Sequence, residues 1–154
     1  MDRKYEIIIY GATGFTGQIC CKYLRDNYKD LVWAMAGRNE EKLAQVKSDF
    51  NLECDVVVAD GGDLESLRSL ASQTKVVLST AGPFARYGSL LVQACVENGT
   101  HYTDITGENH WVKGLIDKQS EDLGQVKKKT KGFTQSDDPT MLNVDKLTMS
   151  PFST

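Results

Sequence analysis

The first 120 residues alternate between short apolar runs and longer stretches in which apolar residues return every three or four positions. Ile7 to Tyr10, Leu31 to Ala36, Cys54 to Ala59 with its Val56-Val57-Val58 centre, and Lys75 to Thr80 have the make-up of strands buried on both faces. Thr100 to Ile105 is a weaker and more polar fifth. Between them lie helical stripes: Phe15, Ile19, Cys20, Tyr23 and Leu24; Leu43, Val46 and Phe50; Leu64, Leu67 and Leu70; and Leu90, Leu91, Ala94 and Cys95. A last helix is expected around Trp111, Leu115 and Ile116. Punctuation agrees with this division. Asn39 and Asp63 are in place as helix caps, Glu40 and Glu41 fill a first turn, Pro83 interrupts the path after the fourth strand, and Asn98-Gly99 is a stop signal.

Connections of this length exclude hairpins, so the pattern predicts an α/β fold: a parallel sheet with helices on both faces. Right-handed crossovers then give a doubly wound, Rossmann-like sheet of order 3-2-1-4-5. The order reverses between the first and fourth strands, and the loops leaving those two strands should lie side by side at the carboxyl edge.

The loop after the first strand is Gly11-Ala12-Thr13-Gly14-Phe15-Thr16-Gly17, with three glycines spaced three apart. Gly11 would make the tight turn, Gly14 would let the backbone approach a pyrophosphate, and Gly17 would let the helix lie close on the sheet. The free amides and positive dipole end of that helix would then face a dianion. A dinucleotide is the ligand this predicts. Arg38 ends the second strand 21 residues after Gly17, where an acidic residue would bind the ribose of NAD and an arginine suits a 2′-phosphate. NADP is therefore expected over NAD, the alternative being that Arg38 points into solvent. Asp60 and Asp63 end the third strand and suit either the adenine edge or turn and cap duties. Ser79 to Pro83, with Ala81, Gly82 and Pro83 at its tip, would pass under the ribose and nicotinamide half, although the same residues also make an ordinary loop.

Other chemistry is thinner. Tyr87 would need a lysine four residues on to work as a short-chain dehydrogenase proton donor, and that position is Leu91. His101, Asp104, Glu108 and His110 invite a metal or acid–base reading, but a strand opening at His101 and a helix start at Glu108 and His110 account for them better. Cys20, Cys21, Cys54 and Cys95 lack zinc-ligand spacing and read as reduced intracellular thiols, so no metal is expected. A net charge of −3 gives no argument for nucleic acid, no run approaches the length of a membrane span, and the first six residues lack the apolar core of a secretory signal.

Four motifs in order resemble the saccharopine dehydrogenase-like oxidoreductases: Ile8 to Gly17; Trp33-Ala34-Met35-Ala36-Gly37-Arg38; Gly82-Pro83-Phe84 with Tyr87-Gly88; and His101 to Glu108. The resemblance covers about residues 4 to 120 and is to the N-terminal, nucleotide-binding part alone. It implies a nicotinamide-dependent reductase whose cofactor contacts fall on Gly11, Thr13, Gly14, Phe15, Arg38 and Gly82, and relatives linked to lipid droplets, mitochondria and glycolipid synthesis. Residues 121–154 are poor in apolar positions and include Lys127-Lys128-Lys129-Thr130-Lys131. That composition predicts a domain over 1–120 and a disordered tail over 121–154, in which the lysine run is a solvated segment. With the family's substrate domain not visible, two functions stand: an NADP-dependent oxidoreductase present as its cofactor-binding part, and a non-catalytic dinucleotide-binding or redox-sensing fragment of a truncated isoform.

Overall fold

The computed structural model describes residues 3–118. The tail expected over 121–154, with its lysine run, lies outside the described residues. Five strands, β1 (Tyr5–Tyr10), β2 (Trp33–Gly37), β3 (Asp55–Val58), β4 (Thr74–Ser79) and β5 (His101–Asp104), form one parallel sheet of order β3-β2-β1-β4-β5. The connecting helices are α1 (Phe15–Asn27), α2 (Glu40–Asp49), α3 (Leu64–Ser72), the short α4 (Phe84–Tyr87) and α5 (Ser89–Glu97), and residues 109–118 are again helical. The doubly wound order expected from the alternation is the one observed.

Both faces of the sheet are covered, which is why its central strands carry no polar alternation. Ile8 and Tyr10 of β1 pack with Ala34, Ala36 and Val77 under Leu67, Leu70, Leu91 and Cys95 of α3 and α5. Ile9 and Met35 point the other way, against Cys21, Leu43 and Val46 of α1 and α2. The caps fall as expected: the Asn39 side chain accepts the Lys42 N–H at 2.8 Å, and that of Asp63 accepts the Glu65 N–H at 3.0 Å. The four cysteines are free thiols. Burial pushes Cys21 and Cys95 up to about 12 and Cys54 up to about 11, so these three are protonated packing residues.

One expectation is corrected. The apolar stripe read on α1 is not its buried face: Gly17 and Cys21 are buried, Cys20 and Leu24 are partly so, and Phe15, Ile19 and Tyr23 are exposed. The reason is steric. A Cβ on Gly17 would lie 2.3 Å from the Gly11 carbonyl oxygen, so α1 sits on the sheet through its smallest residues, and that rotation turns the larger ones outward. The four-residue helix α4 was not expected either, because Pro83 reads only as an interruption.

Candidate functional site

Every residue singled out for ligand contact follows the carboxyl end of a strand: the glycine turn after β1, Arg38 after β2, Asp60 after β3, and Ala81, Gly82 and Pro83 after β4. They therefore share one edge of the sheet. The glycine turn is pinned from two sides. The Gly11 and Ala12 amides donate to the Ala36 carbonyl of β2 at 3.0 and 3.1 Å. From β4, the Thr80 N–H donates to the Tyr10 carbonyl at 2.9 Å, and the Thr80 hydroxyl lies 3.1 and 3.2 Å from the Tyr10 and Gly11 carbonyl oxygens.

The three glycines do different jobs. Gly11 has φ +84°, and a Cβ there would lie 2.9 Å from the Ala81 nitrogen and 3.0 Å from the Thr80 hydroxyl oxygen. The turn and the loop after β4 are thus in van der Waals contact at the point where the strand order reverses. Gly14 is exposed with ordinary extended backbone, φ −77° and ψ 164°, and a Cβ there would approach only the Gly11 carbonyl, at 3.3 Å. Gly17 is filled from behind by backbone. Only Gly14 leaves its space on the solvent side. No side chain caps α1 and no acidic residue sits in its first turn, so the helix start is electrostatically open to an anion. Thr13 is half-buried, its carbonyl accepting the Gln18 side-chain amide at 3.0 Å, whereas Phe15 is 82% exposed.

The Tyr10 hydroxyl, on a residue whose sequence position marks only a strand, lies within electrostatic reach of Arg38 and Asp60. A Cβ on Gly61 would lie 2.8 Å from that hydroxyl oxygen. Burial pushes the Tyr10 phenol up, the Asp60 carboxylate adds to this, and the Arg38 guanidinium opposes it. Arg38 is exposed and, among the described residues, has no ion-pair partner. Its positive charge is available. Asp60 is partly committed to its own turn, one carboxylate oxygen accepting the Gly62 N–H at 2.9 Å.

His101 and His110 are exposed, and among the described residues no group of three or more His, Cys, Asp or Glu side chains would hold a metal. Tyr87 is also exposed, with the Arg86 guanidinium 5.2 Å from its ring centre. A cavity of about 340 Å³ lined by Arg25, Tyr28, Lys29, Trp33, Asn51 and Glu53 opens near the amino ends of β2 and β3, away from all of these residues. The residues singled out for ligand contact lie instead at the carboxyl edge.

A doubly wound parallel sheet with a Gly-x-x-Gly-x-x-Gly turn at its switch point defines a dinucleotide-binding domain of the Rossmann type. The chain belongs to the saccharopine dehydrogenase NADP binding domain family, whose model matches residues 7–135. It is thus an NADP-binding, oxidoreductase-like part. Curated relatives include a "Lipid droplet localized protein" of Caenorhabditis elegans, 37% identical over 126 residues, covering 76% of this chain and 30% of that protein. A "Trans-acting enoyl reductase" of Mycobacterium ulcerans is 39% identical over 129 residues, covering 80% and 31%. The chain therefore spans about three-tenths of the length of these relatives. Among solved structures, apo saccharopine dehydrogenase (L-Glu forming) from Saccharomyces cerevisiae superposes with a TM-score of 0.56 at 17% identity, over 67% of this chain and 22% of that one, a likeness of fold. None of the described helices is long and apolar enough to cross a membrane.

The exposed position of Gly14 makes a prediction. Gly14→Val puts a branched side chain where a pyrophosphate must approach, in a backbone conformation valine readily adopts. Stability should fall modestly, by about 1 kcal/mol, because valine is a poorer helix N-cap than glycine and its Cβ sits 3.3 Å from the Gly11 carbonyl oxygen. NADPH affinity should fall at least about tenfold, the equivalent of one lost phosphate contact. Calorimetric titration beside a thermal melt checks both, and retained affinity in the folded variant would make the loop a structural turn only.

Proposed function

We propose that this chain is the cofactor-binding part of an NADP-dependent oxidoreductase acting on a lipid-linked substrate. In this reading the pyrophosphate lies on the Gly11 to Gly17 turn with Thr13, Gly14 and Phe15 around it. Arg38 takes the 2′-phosphate with Asp60 beside the adenosine, and Ala81, Gly82 and Pro83 run under the nicotinamide half. When bound, the nicotinamide gives or receives the hydride. What the chain itself does is bind, orient and hold the two halves across one edge. The observation that carries the reading is the contact of Gly11 with Thr80 and Ala81, which makes the phosphate turn and the nicotinamide-side loop one continuous surface. The name of the enoyl reductase relative supports the reaction type, and that of the lipid droplet relative supports the lipid setting.

A second reading is cofactor binding without turnover by these residues alone, since every candidate contact described lies on the cofactor edge. Hydride transfer needs the nicotinamide held against a bound substrate with water excluded, and that geometry supplies much of the rate. Among the described residues the candidate contacts all serve the cofactor. The 154-residue protein is therefore expected to bind NADPH yet to show no substrate-dependent NADPH oxidation across a panel of enoyl, keto and imino compounds. Loss of NADPH absorbance is the measurement. Robust turnover abolished by Arg38→Ala would instead make the chain an enzyme by itself.

A further inference from the structure

Glu108 caps two helices at once. Its carbonyl accepts the Trp111 N–H at 2.9 Å and so starts the helix at 109–118, the duty its sequence position suggests. Its carboxylate turns to a different element: the Phe84 N–H donates to Oε1 at 2.7 Å and the Ala85 N–H to Oε2 at 2.9 Å. These are the first two amides after Gly82-Pro83, and both carboxylate oxygens are used on them.

The clamp is itself held from β5. The Tyr102 hydroxyl donates to Asp104 Oδ2 at 2.7 Å, Asp104 Oδ1 accepts the Thr106 N–H at 3.0 Å, and Thr106 Oγ1 accepts the Glu108 N–H at 3.0 Å. Packing closes the far side: Phe84 stacks on Trp111 at 6.1 Å, and the Trp111 indole N–H donates to the Ser89 hydroxyl at 3.0 Å. Between Thr80 and Phe84, by contrast, the Ala81 and Gly82 amides make no hydrogen bond among the described residues, and Pro83 has no N–H to offer. The loop's hydrogen bonds thus lie towards its ends, from Thr80 to the glycine turn, from the Pro83 carbonyl to the Arg86 and Tyr87 amides, and from Glu108 to Phe84 and Ala85, while Ala81 between them is held by packing.

We propose that Glu108 is a positioning residue for the nicotinamide half of the cofactor, holding the Ala81-Gly82-Pro83 loop in its ligand-ready path through the Phe84 and Ala85 amides. The inference rests on the reading that NADP lies across this edge. Freed of the clamp, the loop samples other conformers, and affinity falls by the fraction of time it spends in the right one. The loss is confined to ligands that reach the loop.

Two ligands separate this from general damage: NADPH, and 2′,5′-ADP, which carries the adenosine half alone. With Glu108→Ala, NADPH should bind about tenfold more weakly, matching a loop in place a tenth of the time. Affinity for 2′,5′-ADP should be unchanged, and the emission of bound reduced nicotinamide should shift towards that of free NADPH. Glu108→Gln keeps the shape and one acceptor, should show a smaller loss in the same direction, and carries the test if the alanine variant does not fold. Unaltered NADPH affinity in a folded variant overturns the proposal, and so does parallel weakening of both ligands, which marks a merely structural residue. Failure of the underlying reading looks different, because wild-type protein would then bind NADPH no better than it binds 2′,5′-ADP.

Discussion

Gly17→Ala is expected to cost about 3 kcal/mol or more, the upper range for overpacking a tight interior. For a domain of this size that is a fall in Tm on the order of 10 °C or more. The single added carbon would lie 2.3 Å from the Gly11 carbonyl oxygen, 2.8 Å from Ala12 Cα and 2.9 Å from the Gly11 carbonyl carbon. All three are backbone atoms. No rotamer change relieves such a contact, so α1 must lift from the turn it packs on, and that turn is tied to both β2 and β4. With total stability of such domains near 5–15 kcal/mol, the variant would sit close to its unfolding threshold. A thermal melt of Gly17→Ala beside Gly14→Val checks it. Equal, small losses for the two would mean that α1 can shift freely, contrary to the packing described.

The second large effect is on ligand choice. An exposed guanidinium after β2 with no acidic side chain before Glu40 should favour a 2′-phosphate by about 1.5–3 kcal/mol, the worth of a hydrogen bond to a charged group. Wild-type protein should therefore bind NADPH roughly ten- to a hundredfold more tightly than NADH. Arg38→Ala should remove that difference by weakening NADPH alone. Because the site is solvent-facing, the preference should also shrink as ionic strength rises and the Debye length falls. Titration of both cofactors into both proteins, at low and high salt, reads all of this. Equal wild-type affinities would sink the assignment of Arg38 to the phosphate.

These predictions draw on different parts of what the chain made legible. The five strands could be read because a sheet covered on both faces needs uninterrupted apolar runs, and Ile7 to Tyr10 and Leu31 to Ala36 supply them. From the alternation and the handedness of crossovers came the order 3-2-1-4-5, and from that order the meeting of the glycine turn with the loop after β4. That meeting is now a contact between Gly11 and Ala81, residues 70 positions apart.

What the pattern could not carry was decided by contacts between distant segments. Hydrophobic periodicity put Phe15, Ile19 and Tyr23 on the inner face of α1, but close approach of Gly17 to the turn turned them outward, because backbone clearance outweighs side-chain burial when helix and strand are that near. Nothing in the spacing of Tyr10 and Gly61 marks them as neighbours, since two separate strands deliver them to one edge. Glu108 is the clearest case. Its place before a helix was readable, yet its carboxylate serves amides 23 and 24 residues earlier, a partnership set only when β5 pairs with β4 and brings the two loops together. The sequence alone determined the strands, their order and the glycine turn, because these follow from local composition and chain handedness. Which face α1 buries and what holds the Ala81 to Pro83 loop were decided by the tertiary structure, because both depend on distances between segments far apart in the chain.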